Sequence, residues 1–324
     1  MKILTGMADT RLSLLFAFSV LIVHGSQSAL AAGKKDFNMR EITLEELLEA
    51  GCHFGHQVTR SNPKARDFIF EARDNIHIID LAKTKEGLDE AANFIKNLAS
   101  KNGVLVVIGT KRQARLIVEE EVKRAQDDNI FFITNRWVGG LLTNFQEVSK
   151  NFKKYADFVT DLQDDEVKAR YTKKEVGGWE KEKNKLENLY GGVAKITKKP
   201  DALFIIDSHQ EDLAVREALA TRVPTVAVVD TNADPAVIDY PIPANDDAVG
   251  SIKLIVSYVI DAWIEGRKEA LLLAKKEESR VKKEAEKAGL ELEKAKALIE
   301  KEKAKIARKA AEPKVKTVKK EVGK

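Results

Sequence analysis

A ten-residue segment after a predicted strand combines residue types that suit binding of a phosphate and a base. Residues 135–144 read Asn-Arg-Trp-Val-Gly-Gly-Leu-Leu-Thr-Asn and directly follow the apolar run Ile130–Ile133. Arg136 offers a planar cation to phosphate, Trp137 offers a stacking face, and the paired glycines allow close approach of another backbone. Ligands usually dock at the carboxyl ends of parallel strands. The alternative is a tight strand-to-helix turn whose tryptophan covers the core.

A second candidate anion site is Gly109-Thr110-Lys111-Arg112, between a predicted strand and a predicted helix. Free amides at a helix N-terminus, next to Lys111 and Arg112, favour binding of a phosphate. The segment lacks the GxxxxGK[ST] spacing of a nucleotide P-loop, so it does not support ATP hydrolysis. A phosphodiester of RNA fits the same chemistry.

Residues with metal-binding chemistry occur in two places. Cys52, His53 and His56 lack the second Cys/His pair of a tetrahedral zinc site, so we favour a structural role. Carboxylates in predicted loops could hold Mg²⁺ or a borderline metal, although Asp at turns more often bonds its own backbone. These carboxylates are Asp230, Asp234, Asp246 and Asp247. We predict no catalytic residue, no cofactor and no metal, and leave open whether the aspartates hold an ion.

The composition is that of a soluble protein with a sizeable core and strongly solvated extensions. Of 324 residues, 44% are hydrophobic and 33% are charged, and the formal net charge is +4. The segment from Gly266 to Lys324 carries 20 Lys and Arg against 11 Asp and Glu, whereas the preceding residues carry 35 against 40. Polyanion binding by the body must therefore depend on local patches. The single cysteine excludes an intramolecular disulfide and fits a reducing compartment.

Short apolar runs alternate with amphipathic stretches between Met39 and Glu265. This alternation predicts an α/β protein: a Rossmann- or flavodoxin-like three-layer fold with a mainly parallel sheet. The predicted strands are Ile76–Ile79, Val104–Ile108, Ile130–Ile133, Leu203–Ile206 and Thr225–Val229. The predicted helices are Thr84–Ser100, Lys111–Gln126, Gln210–Thr221 and Val249–Glu265.

The connection between Ile133 and Leu203 is too long for a simple crossover. Apolar residues recur at helical spacing from Phe145 to Leu162, and Thr172–Glu175 is a capping box that begins a second helix. We predict a protruding antiparallel helical (coiled-coil) hairpin at about 144–190. Its outer faces mix lysines with acidic residues, so either they are merely solvated or they reach across an RNA surface.

The two ends of the chain are predicted to lie outside this fold. In residues 1–38, Leu12–Val23 is an apolar run with the layout of a secretory signal peptide, too short to span a bilayer. This leader is a real export signal, an unusual targeting extension, or the product of a start assigned upstream of Met39. Residues 266–324 are predicted to form a long Lys/Glu/Ala-rich helix, solvated or lying on nucleic acid, with a basic disordered end.

A series of motifs occurs in a fixed order from about Met39 to Gly266. They are Gly51–Gln57 with Asn62–Lys64, Phe68–Arg73 with Ile76–Leu81, Gly109–Arg112, Asn135–Asn144, Thr172–Glu175, Pro200–Asp207, Val229–Pro235 and Ile242–Ala248. Ordered motifs with fitting separations are more specific than any one alone. Taken together, they resemble the small-subunit ribosomal protein S2 family in its bacterial form.

The resemblance implies a Rossmann-like domain over residues 39–265 in a non-catalytic component of the 30S subunit, located in the cytoplasm. The implied partners are small-subunit rRNA and neighbouring 30S proteins, including the large mRNA-capturing protein built of OB-folds, with no membrane and no small-molecule substrate. A leader is foreign to the family, which favours Met39 as the first residue. The implied RNA contacts are Arg60, Lys64, Arg66, Arg73, Lys111, Arg112, Arg136, Trp137, Lys150, Lys153, Lys154, Lys173 and Lys174.

Two other classes of function remain as alternatives. A sugar-phosphate or nucleotide-binding α/β enzyme would use the same sheet, but no pair of carboxylate and base is placed to support it. An exported α/β protein is favoured by the leader alone.

Overall fold

The computed structural model describes residues 40–310, and the side chains of residues 40–281. Residue contacts divide the chain after Glu41, and the architecture below is that of the second unit. The signal-like leader of residues 1–38 and the basic end after Pro313 lie outside the described residues. So do the side chains of the predicted Lys/Glu/Ala-rich helix beyond Val281.

From Ile76 onward the described elements follow the predicted order, with one unpredicted strand, Tyr240–Pro243, before the last helix. The strands are β1 (Phe54–Gln57), β2 (Ile69–Arg73), β3 (Ile76–Ile79), β4 (Leu105–Ile108), β5 (Ile130–Ile133), β6 (Ala202–Ile206), β7 (Thr225–Val229) and β8 (Tyr240–Pro243). The helices are α1 (Leu44–Glu49), α2 (Leu81–Ser100), α3 (Arg115–Ala125), α4 (Phe145–Asp161), α5 (Asp165–Ala169), α6 (Lys173–Tyr190), α7 (Asp212–Thr221) and α8 (Val249–Ala310).

A five-stranded parallel sheet in the order β5-β4-β6-β7-β8 forms the centre of the fold. In its register Ile108 of β4 lies opposite both Ile133 of β5 and Ile205 of β6. The residues of β4, β6 and β7 are all buried, which explains their continuous apolar sequence. The prediction of a parallel α/β sheet is confirmed.

Helices cover both faces of this sheet. Alternate strand residues such as Val106 and Leu203 join one buried cluster with Val215 of α7 and Phe152 of α4. The intervening residues face the opposite side, where α8 packs against α2 and α3. The three-layer arrangement therefore follows from the two-residue side-chain period of the strands.

Both edges of the parallel sheet are partly protected from pairing with another strand. At one edge, the amide of Phe132 in β5 donates to the carbonyl of Gly192, at 3.2 Å. At the other edge lies β8, which contains Pro241 and Pro243. The Ala244 amide donates a hydrogen bond to the Val229 carbonyl of β7. Because successive backbone nitrogens of a strand point in opposite directions, the nitrogens of Pro241 and Pro243 point away from β7. An edge strand is where prolines are tolerated in a sheet.

The segment Ile76–Ile79 is a strand, but it does not belong to the parallel sheet. As β3 it lies between β1 and β2 in a separate three-stranded antiparallel sheet. The sequence did not predict β1 or β2, because their residues are mostly exposed and polar residues and glycine interrupt them.

A helical hairpin projects from the connection between β5 and β6, as predicted. It consists of α4 and α6, which pack on each other, with the short helix α5 at its tip. The predicted capping box is present, because the Thr172 hydroxyl accepts from the Glu175 amide and the Glu175 side chain accepts from the Thr172 amide. At the base, the rings of Phe152 and Tyr190 meet edge to face at 5.4 Å.

The C-terminal helical stretch and the tail form one continuous helix, α8, of 62 residues. It passes through Gly266 without a break, although we predicted the two parts separately. A Cβ at Gly266 would lie 2.3 Å from the Lys96 carbonyl oxygen of α2, so this glycine permits the close crossing of the two helices. Among the helices of residues 40–310, none combines the length and apolar composition needed to cross a membrane.

Candidate nucleic-acid interface

The carboxyl ends of the parallel strands meet the antiparallel sheet, and polar side chains concentrate where they meet. The His56 amide of β1 donates to the Thr231 hydroxyl, at 2.9 Å, just after β7. The side-chain amide of Asn245, after β8, donates to the Gly51 carbonyl at 3.1 Å. A Cβ at Gly55 would lie 2.7 Å from the Thr231 side chain, so only glycine fits this approach. The antiparallel sheet therefore covers the edge where Rossmann-like proteins usually bind ligands.

Lys111 lies at the centre of this edge and contacts three carboxylates. Its Nζ is 2.9 Å from Asp207, 2.8 Å from Asp246 and 2.8 Å from Asp247. Burial would lower the pKa of Lys111, but attraction to Asp246, Asp247 and Asp207 outweighs it and raises that pKa. The ammonium group therefore stays charged and already has acidic partners inside the protein.

Asp207 is positioned for this contact by an unusual backbone conformation. It follows β6 with φ of 70°, in the left-handed region that Asp tolerates better than most residues. One carboxylate oxygen accepts from the amides of His209 and Gln210, both at 2.9 Å. The other oxygen is left for Lys111.

A second part of the same cluster has the chemistry of a cation site. One ligand atom each from His56, Asp230 and Asp246 lies within 4.8 Å of the others. Nδ1 of His56 is 3.1 Å from Asp230, and its Nε2 is 3.6 Å from Asp247. An imidazole with two carboxylates suits a borderline divalent metal such as Zn²⁺. Lys111 competes for Asp246 with any such ion.

The pKa shifts in the cluster arise because several acidic groups lie close together in a buried environment. Burial, followed by repulsion from Asp207 and Asp230, raises the pKa of Asp246 to about 8. The hydrogen bond to Asp230 raises the pKa of His56 above its ordinary value. Both shifts favour the protonated forms, because there is more acid here than Lys111 alone can balance. The fourth aspartate of the predicted set, Asp234, lies apart and pairs with Lys64.

The loop of residues 135–144 is held by a buried carboxylate from α7. Glu217 accepts hydrogen bonds from the amides of Gly140 at 2.7 Å and Leu142 at 3.2 Å, and from the Trp137 indole at 3.3 Å. Burial would raise the pKa of Glu217, but these donors together lower it. Trp137 is only 3% exposed, so its stacking faces are covered in this structure. Arg136 points outward from the same loop.

The predicted anion site of residues 109–112 differs from expectation in two respects. Helix α3 begins at Arg115, four residues later than predicted, and Ala114 provides no side-chain cap. The side chain of Lys111 is turned to the carboxylates described above, whereas Arg112 is exposed.

Most of the predicted contact residues are exposed cations. Lys64, Lys150 and Lys154 pair with Asp234, Glu147 and Glu182, and Lys154 also lies over the Phe158 ring, 5.5 Å from its centroid. Within the side chains of residues 40–281, the others have no carboxylate partner at ion-pair distance. These are Arg60, Arg66, Arg73, Arg112, Arg136, Lys153, Lys173 and Lys174. The structure brings Arg60, Lys64 and Arg66 together in the loop between β1 and β2, and places the hairpin lysines on a different element.

Sequence reasoning missed the residues that organise the site. Glu217 lies in an amphipathic helix, where an acidic residue is normally solvated, and no local pattern marks it as buried. Glu211 was also missed. It is buried and accepts a short hydrogen bond from the Thr110 hydroxyl. A signal for the Lys111 cluster existed, because each member follows a predicted strand or lies in a loop that returns to the same sheet edge.

Comparisons with known proteins agree with the motifs. The family described as "Ribosomal protein S2" matches residues 47–266. The chain is 46% identical to small ribosomal subunit protein uS2 of Petrotoga mobilis over 230 residues, which are 71% of this chain and 78% of the relative. It is 44% identical to the protein of the same name from Corynebacterium jeikeium over 245 residues, or 75% of this chain and 86% of the relative.

Proposed function

The chain belongs to the ribosomal protein S2 family, and we propose that it is a non-catalytic structural protein of the small ribosomal subunit that binds small-subunit rRNA. Exposed cations bind the phosphate backbone, and the fold holds them in place. We place the protein at the ribosome in the cytoplasm.

The observation that carries this proposal is the set of exposed cations that make no ion pair with the side chains of residues 40–281. Arg60 and Arg66 stand in the loop that leads from β1 to β2, and Arg73 ends β2. Guanidinium groups that have no carboxylate to bind remain available for phosphate oxygens, which they hold in a planar, bidentate way. Such contacts give affinity for folded RNA without reading its sequence.

The strand-end edge supports a role without turnover. An enzyme of this fold class would bind its phosphate where Lys111 now contacts three carboxylates. A phosphate placed there would meet Asp207, Asp246 and Asp247 and would be repelled. The antiparallel sheet also covers this edge, so the cluster acts as an internal joint between the two sheets.

Contacts with neighbouring proteins of the subunit are part of the same proposal. An apolar groove of about 390 Å³ is lined by residues that include Leu44, Leu48, Phe70 and Ile78. Phe70 is 72% exposed, which is unusual for a large apolar side chain that has no partner to contact. We assign this groove to a protein partner, the large OB-fold protein being the candidate that the resemblance implies.

Sedimentation with small subunits tests the RNA-binding proposal. The full chain is added to small subunits stripped of their own family member and sedimented across a range of salt concentrations. Binding should weaken steeply with salt, because each phosphate contact releases counterions. The variant Arg60→Gln/Arg66→Gln/Arg73→Gln should bind more weakly, and its logarithmic salt slope should be lower by roughly one for each phosphate that is no longer neutralised.

A matched control removes the same number of charges from exposed positions elsewhere. Lys101→Gln/Lys123→Gln/Arg216→Gln changes the net charge equally and should leave binding near the wild-type level. Equal losses in both triple variants would show that net charge, and not this surface, governs association. Salt-independent sedimentation would contradict the proposal altogether.

A further inference from the structure

The tip of the helical hairpin presents two aromatic rings to solvent. The rings of Tyr171 and Trp179 meet at an interplanar angle of 63°, with centroids 4.6 Å apart. Tyr171 is 48% exposed, and Trp179 is partly exposed. The other tryptophans, Trp137 and Trp263, are 3% and 0% exposed. Neither ring belongs to the buried core cluster, so the exposed part of the pair has stacking area that the described side chains do not cover.

The backbone holds this pair in a defined place. Tyr171 immediately precedes Thr172, the N-cap of α6, and the reciprocal bonds between Thr172 and Glu175 fix the start of the helix. Trp179 projects from the second turn of the same helix. Rings fixed in this way lose little further conformational freedom when a flat ligand stacks on them.

A short run of cations adjoins Tyr171, between acidic residues at 164–166 and at 175. Residues 168–174 read Lys-Ala-Arg-Tyr-Thr-Lys-Lys, with four cations and no acidic residue. Lys168 pairs with Asp165, whereas Arg170, Lys173 and Lys174 are exposed and make no ion pair with the described side chains. Lys173 and Lys174 occupy the first turn of α6, where the helix dipole disfavours cations. An anion bound between them would relieve that unfavourable placement.

We propose that Tyr171 and Trp179 form a stacking platform for an unpaired base of RNA, with Arg170, Lys173 and Lys174 holding the flanking phosphates. This rests on the proposed rRNA-binding function and adds to it a contact of a different kind. Aromatic stacking combined with a cationic track is how proteins bind single-stranded RNA, because every base has a face to stack. Paired bases in an RNA helix do not offer such a face.

The emission of Trp179 reports on this contact, because the other tryptophans are buried. The full chain is titrated with three probes: an oligouridylate, an abasic oligomer with the same number of phosphates, and heparin. The oligouridylate should quench Trp179 emission, and the two polyanions without bases should quench it little. The Trp179→Phe variant, followed by the anisotropy of labelled RNA, should still bind but show no quenching.

Variants of Tyr171 separate stacking from support of the hairpin. Tyr171→Phe keeps the ring and should bind oligouridylate like the wild type. Tyr171→Leu keeps an apolar contact with Trp179 but removes a stacking face, so affinity should fall about five-fold or more. A thermal unfolding curve for each variant checks that the hairpin is intact.

Two results would overturn the platform. One is equal quenching by heparin or the abasic oligomer, and the other is wild-type affinity in Tyr171→Leu with an intact hairpin. The rRNA-binding proposal has its own readout, because salt-dependent sedimentation with small subunits should persist when the platform is removed. Loss of that sedimentation in the wild type would contradict the proposed function, whatever the quenching shows.

Discussion

The indole Nε1 of Trp137 donates a hydrogen bond to the carboxylate of Glu217, 80 residues further along the chain, at 3.3 Å. The same carboxylate accepts from the Gly140, Leu142 and Thr143 amides. One buried side chain thus satisfies several amide groups of a loop that has no regular structure, the loop in which Arg136 is exposed.

Replacement of Glu217 by glutamine should destabilise the protein. The glutamine amide group would face loop donors that need an acceptor, and a buried donor left unpaired costs about 1–3 kcal/mol. We expect a loss of about 2–4 kcal/mol in the free energy of unfolding, measured by urea denaturation. Glu120→Gln on the exposed face of α3 is the matched control and should change little. If the free energy of unfolding of Glu217→Gln equals that of the wild type, the hydrogen bonds to Glu217 do not stabilise the protein.

The hydrogen bonds that Glu217 accepts from the loop should also make the stability of the protein depend on pH. Hydrogen bonds from the loop lower its pKa in the folded protein, so the unfolded chain binds the proton more readily. This stabilisation is present above the unfolded pKa and is lost as the pH falls through the folded pKa. The difference in unfolding free energy between wild type and Glu217→Gln should therefore shrink as the solution is acidified. If the difference in unfolding free energy stays constant down to pH values below the ordinary carboxyl pKa, the pKa of Glu217 does not control this stability.

Lys111→Met should be strongly destabilising, because it removes the cation that contacts the buried Asp207 carboxylate. Removing one side of a buried ion pair typically costs about 3–5 kcal/mol. Lys123→Met is the control, since Lys123 and its partner Glu119 are both exposed and such pairs contribute about 1 kcal/mol at most. Adding Asp246→Asn to Lys111→Met should recover part of the loss. Simple additivity of the two changes would show that the residues are not coupled.

Two glycines should respond to alanine in opposite directions. A Cβ at Gly177 in α6 meets nothing within 4 Å, so Gly177→Ala should stabilise the hairpin by about 0.5–1 kcal/mol. A Cβ at Gly192 would lie 2.2 Å from the Phe132 carbonyl oxygen, so Gly192→Ala should destabilise by about 1–3 kcal/mol. Hydrogen exchange of hairpin amides and urea unfolding measure the two effects. Weaker protection in Gly177→Ala than in the wild type would contradict the first.

The sequence predicts the parallel sheet well because burial on both faces leaves a continuous apolar run, as in Thr225–Val229. It predicts β8 poorly because prolines lower the strand propensity of Tyr240–Pro243, and only its place at the sheet edge makes them acceptable. The helix Val249–Glu265 and the helical tail were predicted separately but form one helix, and glycine at 266 permits its close crossing over Lys96. For both β8 and Gly266, the position in the fold explains the residue type, and that position depends on neighbours distant in sequence.

In the candidate site, too, some features follow from local sequence and others depend on the fold. The exposure of Arg60 or Lys173 follows from local polarity, and the predicted contacts of these residues with rRNA remain predictions. The contacts of Lys111 depend on strand order, which places Asp207 and Asp246 beside it although they are far away in the chain. Trp137 was expected to offer a face for stacking, but whether it covers the core or a ligand is decided by Glu217, which its own segment does not reveal.

Pro241 and Pro243 also bear on how the protein behaves before it has joined any larger particle. An unprotected sheet margin is a template on which a second chain can add a strand, and the growth of such ribbons leads to insoluble aggregates. Here the outward positions of β8 offer no N–H, and the Thr84 hydroxyl donates to the Pro243 carbonyl at 2.6 Å. The strand margin at β8 therefore offers a second copy of the chain few groups with which to extend the sheet.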